Sequence, residues 1–85
     1  MSTVWDPVKA HTNFRKHRVR FSDAEGVLLD PNAITVDDPA EEEPRFISIG
    51  LDVVGRIVVV VYTYRGEDVR LISARLATRK RKTPV

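Results

Sequence analysis

Arg56-Ile-Val-Val-Val-Val-Tyr-Thr-Tyr-Arg65-Gly-Glu-Asp-Val-Arg70-Leu-Ile-Ser-Ala-Arg75 reads as an apolar β-hairpin whose strands end in arginines. Residues Ile57 to Tyr64 are apolar at nearly every position, the pattern of a central strand covered on both faces. Gly66-Glu67 supplies a two-residue turn with glycine at its first position, and Val69 to Ala74 forms the return strand. Closing the hairpin there sets Arg65 opposite Asp68 and Arg70 opposite Thr63, so Arg65 and Arg70 share a face. Arg75 has the other parity and points to the opposite face unless a bulge shifts the register. A preceding loop of residues 52–55 puts Arg45 on the Arg75 side. Two arginine pairs on opposite faces are therefore expected, and only one face can be free of helices. An arginine is costly to bury without a partner, which makes an anionic ligand one candidate for these side chains.

Working outward, Arg45-Phe46-Ile-Ser-Ile49 is a further strand, and Ala33 to Val36 is an edge strand limited by Pro39 and Pro44. At the other end, Val4-Trp5 is a short strand. Asp6-Pro7 then opens a helix, with Asp6 as its N-cap and Pro7 at the first helical position, running to about His17. Lys9, Asn13, Lys16 and His17 fall on one face of it. Val19 and Phe21 bracket an extended link, and Ser22-Asp-Ala-Glu25 fits a capping box that opens a second helix through Leu29. Trp5 and Phe14 read as core or staple residues. The fold class is α+β, two N-terminal helices on a small, mainly antiparallel sheet, in one domain spanning 1–85.

A chain of 85 residues buries only about 60% of its unfolded surface, so it gains stability readily from a partner. It has no cysteine, which excludes disulfides and thiolate metal sites. No apolar run is long enough to span a bilayer and the first residues lack a leader pattern, so a cytoplasmic location is expected. The net charge is +2, but residues 30–44 hold six of the twelve acids and no base. The remainder carries fourteen bases against six acids, a surplus that favours phosphate ligands. His11 and His17 lie on different helical faces and no third ligand follows at metal spacing, so neither a metal site nor a cofactor is expected.

The cations Lys9, Lys16, Arg65, Arg70 and Arg75, with the carboxylates of 41–43, form the grouping of chemical interest. Cleavage of RNA by its own 2′-hydroxyl needs a base for that hydroxyl, an acid for the leaving oxygen and cations for the charge that builds on phosphorus. Arginine forks suit the last role. A lysine serves as base only where neighbouring cations depress its pKa, and His17 is suited to carrying a proton. The competing reading is a mixed surface in which these cations pair with Asp6, Asp23, Glu67 and Asp68.

An ordered series of motifs runs through residues 4–78: Trp5-Asp6-Pro7-x-Lys9-Ala10, Asn13, Lys16-His17-x-Val19-x-Phe21, Ala24, Asp30-Pro31, Arg45-Phe46-Ile47-x-Ile49-Gly50, Gly55-Arg56, Val60-Val61-Tyr62-Thr63-x-Arg65, and Arg70-x-Ile72-Ser73-Ala74-Arg75-x-Ala77-Thr78. This series resembles the BrnT toxins. The resemblance implies a RelE-like fold and a metal-independent endoribonuclease, the toxin of a type II toxin-antitoxin pair. It further implies a BrnA-like ribbon-helix-helix antitoxin as partner, RNA as substrate, and operator DNA bound only through the antitoxin, with no membrane association. By matching position, Lys9, Lys16, His17, Glu43, Arg65 and Arg75 are the implied catalytic residues, and Arg65, Arg70 and Arg75 the implied phosphate binders. The chain departs from the family pattern at Pro44, where a second acid is usual, at a missing histidine in the acidic segment, and at Arg18, where a glycine is common. A toxin homologue reduced to a binding module in a repressor complex is the alternative.

Overall fold

Asp6-Pro7 opens the first helix as expected: Asp6 accepts a hydrogen bond from Val8 N–H at 2.8 Å, and proline occupies the first turn. In the computed structural model, which describes residues 2–38 and 44–77, the order is β1 (Thr3–Val4), α1 (Pro7–His17), α2 (Phe21–Leu29), β2 (Ile34–Asp38), β3 (Arg45–Leu51), β4 (Ile57–Arg65) and β5 (Asp68–Leu76). The strands form one sheet in the order β1-β5-β4-β3-β2, antiparallel except for the β1–β5 pair. Both helices pack on one face, and Val19, Phe21, Ala24, Val27, Val58, Val60, Tyr62, Val69, Leu71 and Ala74 make the core.

The second helix starts one residue before the anticipated capping box, at Phe21, and its N-cap Arg20 makes no side-chain cap bond. Burial explains the difference: Phe21 is 2% exposed and its ring meets Trp5 edge-on at 5.9 Å, an apolar gain larger than the ~1 kcal/mol of a cap. Between the helices, Arg18 takes the left-handed conformation at φ 61°, the backbone state that makes glycine usual at such a position.

The β3–β4 connection is one residue longer than anticipated, since Leu51 pairs with Ile57. Asp52 organises it. Its carboxylate accepts from the N–H groups of Val54 (3.0 Å) and Arg56 (2.8 Å) and from the Arg56 guanidinium (2.8 and 3.0 Å). Arg56 also donates to the Arg18 carbonyl and lies 3.8 Å from Asp23, tying this loop to both helices. α2 approaches the loop so closely that a Cβ on Gly26 would sit 2.6 Å from the Val53 nitrogen.

The hairpin turn is as read, with Gly66 at φ 62° and Arg65 opposite Asp68. β4 is central, yet among the described residues only its helix-facing side is covered, not both. Its other side continues into an open sheet face.

Candidate active site

All four strand arginines stand on that open face, which corrects the expected split. Two register features cause this, each worth one residue and therefore one change of face. A bulge interrupts β5: Tyr62 pairs with Leu71 but Val61 with Ser73, so Ile72 is the extra residue and Arg75 rejoins the face of Arg70. The longer β3–β4 loop does the same for Arg45. Arg70 lies directly opposite Thr63 and Arg65 opposite Asp68, which makes Arg65 and Arg70 diagonal neighbours roughly 7–8 Å apart at the backbone. Arg75, opposite Val59, is four ladder steps from Arg70, about 13 Å along the strand.

Arg65 and Arg70 line a groove with Val4, Trp5 and Asp6, at the side of the sheet where β1 ends. Among the described residues, neither these two nor Arg75 has an ion-pair partner, whereas Arg56 pairs with Asp52 and Asp23. The mixed-surface reading therefore fails for the three candidate arginines, and Asp23 serves a structural pair instead.

The cations of α1 gather against β5. Val8, Lys9, Thr12, Asn13, Lys16 and His17 line a second groove with Ile72 and Ser73 of β5, so the helical spacing did bring Lys9, Lys16 and His17 together. By register Ser73 belongs to the face of Arg70 and Arg75. Asn13 holds the helix there. It is buried; its amide donates to the carbonyls of Ala74 (2.7 Å) and Val19 (3.1 Å), and its oxygen accepts from Ala74 N–H (3.1 Å). Beyond β1, which pairs only with Val69 and Arg70, the Asn13 amide acts as the neighbour of the β5 edge. The motif spacing placed Asn13 among the cations but gave no sign of this bond set, nor of a place for Ser73. His11 lies apart, in a hollow with Trp5, Phe14 and Arg20, and Arg20 stacks over the Phe14 ring at 4.4 Å.

Glu43 falls outside the described residues. Its neighbour Pro44 is described: the Thr63 hydroxyl donates to its carbonyl at 2.6 Å, fixing the start of β3 beside the Arg70 row. Among the described residues no three His, Asp or Glu side chains gather as metal ligands.

A family model described as "Ribonuclease toxin, BrnT, of type II toxin-antitoxin system" matches residues 5–81. The chain belongs to the BrnT family. The crystal structure of the Brucella abortus ribonuclease toxin BrnT superposes with a TM-score of 0.70 at 29% identity, covering 93% of this chain and 100% of that one. No curated protein sequence matches. Among the described residues, no helix is long and apolar enough to cross a membrane.

Proposed function

We infer that this chain is a metal-independent endoribonuclease toxin with a RelE-like fold, neutralised by a BrnA-like ribbon-helix-helix antitoxin through which the pair binds operator DNA. The observation that carries the chemistry is the pair Arg65 and Arg70, diagonal neighbours without ion-pair partners among the described residues, in a groove with Val4, Trp5 and Asp6, while Lys9, Lys16 and His17 line a second groove with Ile72 and Ser73 of the same strand as Arg70. Two guanidinium forks on one phosphate neutralise its charge and strengthen as the equatorial oxygens gain charge during attack. Lys9, Lys16 or His17 takes the 2′-hydroxyl proton; the 2′-oxygen attacks phosphorus, the bond to the 5′-oxygen breaks, and that oxygen is protonated. The products are a 2′,3′-cyclic phosphate and a 5′-hydroxyl. Arg75, farther along β5, holds a neighbouring phosphate, and Glu43 joins the acid–base set from the acidic segment.

Cleavage of labelled single-stranded RNA in EDTA tests this. The wild type cleaves; Arg65→Ala abolishes cleavage while melting at the wild-type temperature, because the lost side chain makes no side-chain hydrogen bond or ion pair among the described residues. Equal activity of that variant would refute the assignment. The second reading, a binding module without turnover, draws on Pro44, which stands where the family has its second acid and gives its carbonyl to Thr63. It predicts no cleavage by folded protein, with antitoxin and operator binding intact.

A further inference from the structure

The sheet face opposite the helices is aliphatic over three strands. Register sets Ile34, Ile49 and Val59 in one row and Val36, Ile47 and Val61 in the next, with Leu51 and Ile57 extending the block. These side chains are not the scattered apolar residues of an ordinary surface. Ile34 is 66% exposed, Val36 52%, Ile57 55%, Leu51 48% and Ile49 40%, contiguous across β2, β3 and β4. Continuous apolar surface of this extent marks an interaction site. The rows end on β5 in Arg75 and Ser73; the next row along the face holds Asp38 and Arg45 on β2 and β3 and Thr63 and Arg70 on β4 and β5, and beyond it Arg65 stands opposite Asp68. The face is thus an apolar floor bordered by three arginines without ion-pair partners among the described residues.

We propose that this face docks an amphipathic, acidic segment of the cognate antitoxin, its apolar side on the Ile34–Val61 block and its carboxylates on Arg65, Arg70 and Arg75. The proposal rests on membership of a toxin-antitoxin family and adds the surface and the chemistry of its occupant. Charge complementarity selects that occupant over a second copy of this chain. Two such faces meeting would carry their arginine borders into one desolvated contact, where like charges cost several kcal/mol, whereas an acidic partner gains there. The apolar floor supplies affinity and the arginines orientation. RNA and the antitoxin then compete for Arg65 and Arg70, so neutralisation follows from occupancy of the phosphate groove.

The test separates floor from site. Ile49→Lys and Val36→Lys place an ammonium on the block at exposed positions outside the catalytic groove, and Leu29→Lys, on the helix side at 80% exposure, is the control. Purified antitoxin encoded beside this chain is titrated against each by calorimetry. The expected result is at least 100-fold weaker binding for the two block variants, wild-type binding for Leu29→Lys, and RNA cleavage within threefold of wild type for all three in the absence of antitoxin. Unchanged antitoxin affinity in both block variants, with the wild type binding tightly, overturns the docking face and leaves the family partner standing. An antitoxin that fails to bind the wild type overturns both. A wild-type homodimer in sedimentation that Ile49→Lys dissociates also overturns the proposal, in favour of a second copy. Retained cleavage and an unchanged melting temperature show that each variant is folded.

Discussion

Asn13→Ala removes three buried hydrogen bonds at once. Ala74 and Val19 are each 0% exposed, so Ala74 N–H, Ala74 C=O and Val19 C=O are left without the amide that satisfies them at 3.1, 2.7 and 3.1 Å. At ~1 kcal/mol per bond, with a desolvation penalty where a buried group stays unpaired, the loss is about 3–5 kcal/mol. A domain of this length has a total of about 4–13 kcal/mol, and the melting temperature should fall by about 15–30 °C. Urea unfolding followed by the fluorescence of Trp5, the single tryptophan, measures it, and an unchanged dependence on denaturant shows that the same surface unfolds. Asn13→Leu, of similar volume but without the amide, separates bonds from packing and should be nearly as unstable. A loss below ~1 kcal/mol in both variants would show that the amide is not what holds α1 to β5. Stability restored by leucine would assign the effect to volume.

Gly26→Ala should destabilise by about 1–3 kcal/mol although alanine favours helix, because the new Cβ meets Val53 N at 2.6 Å and Asp52 C at 2.8 Å, both backbone atoms; thermal melting decides the sign. Arg18→Gly should stabilise by about 1 kcal/mol, since glycine takes the observed φ of 61° without the cost borne by an L side chain, and a lower melting temperature would contradict that. Burial opposes ionisation of Asp52, but the backbone N–H of Arg56, its guanidinium and the Val54 N–H outweigh it and hold the carboxyl below its ordinary value. Its contribution to stability is therefore complete above the ordinary carboxylate value and is lost as pH falls through the lower folded value. Asp52→Asn should cost about 2–4 kcal/mol at neutral pH and flatten the acid limb of the stability profile below about pH 4; an acid limb as steep as the wild type's would refute the assignment.

What the sequence made legible was local. Asp6-Pro7 and Gly66-Glu67 carry their own backbone instructions, and the cation spacing on α1 follows from helical geometry alone, so each appears where its chemistry put it. The capping box failed because Ser22 competes with a core position one residue earlier, and only the Trp5–Phe21 contact reveals that competition. The arginine faces failed for a related reason. Parity along a strand is certain only until a bulge or a loop adds a residue. Both additions sit beside contacts distant in sequence: Arg56 with Asp23 and the Arg18 carbonyl in one case, Asn13 with Ala74 in the other.

Those two additions have a joint consequence for function. With either one absent, the arginines divide between faces, and those on the helix side lie against a core with no anion to meet them. With both present, the open face collects every strand arginine beside the aliphatic rows of β2, β3 and β4. The apolar run that read as a strand covered twice is then covered once. Its second face combines apolar surface suited to a protein partner with charge suited to phosphate, so under the function proposed above one surface serves both cleavage and its inhibition. The register that aligns the arginines for phosphate is the same register that makes them available to carboxylates. A change that moved Arg75 back across the sheet, such as deletion of Ile72, would weaken RNA and antitoxin together.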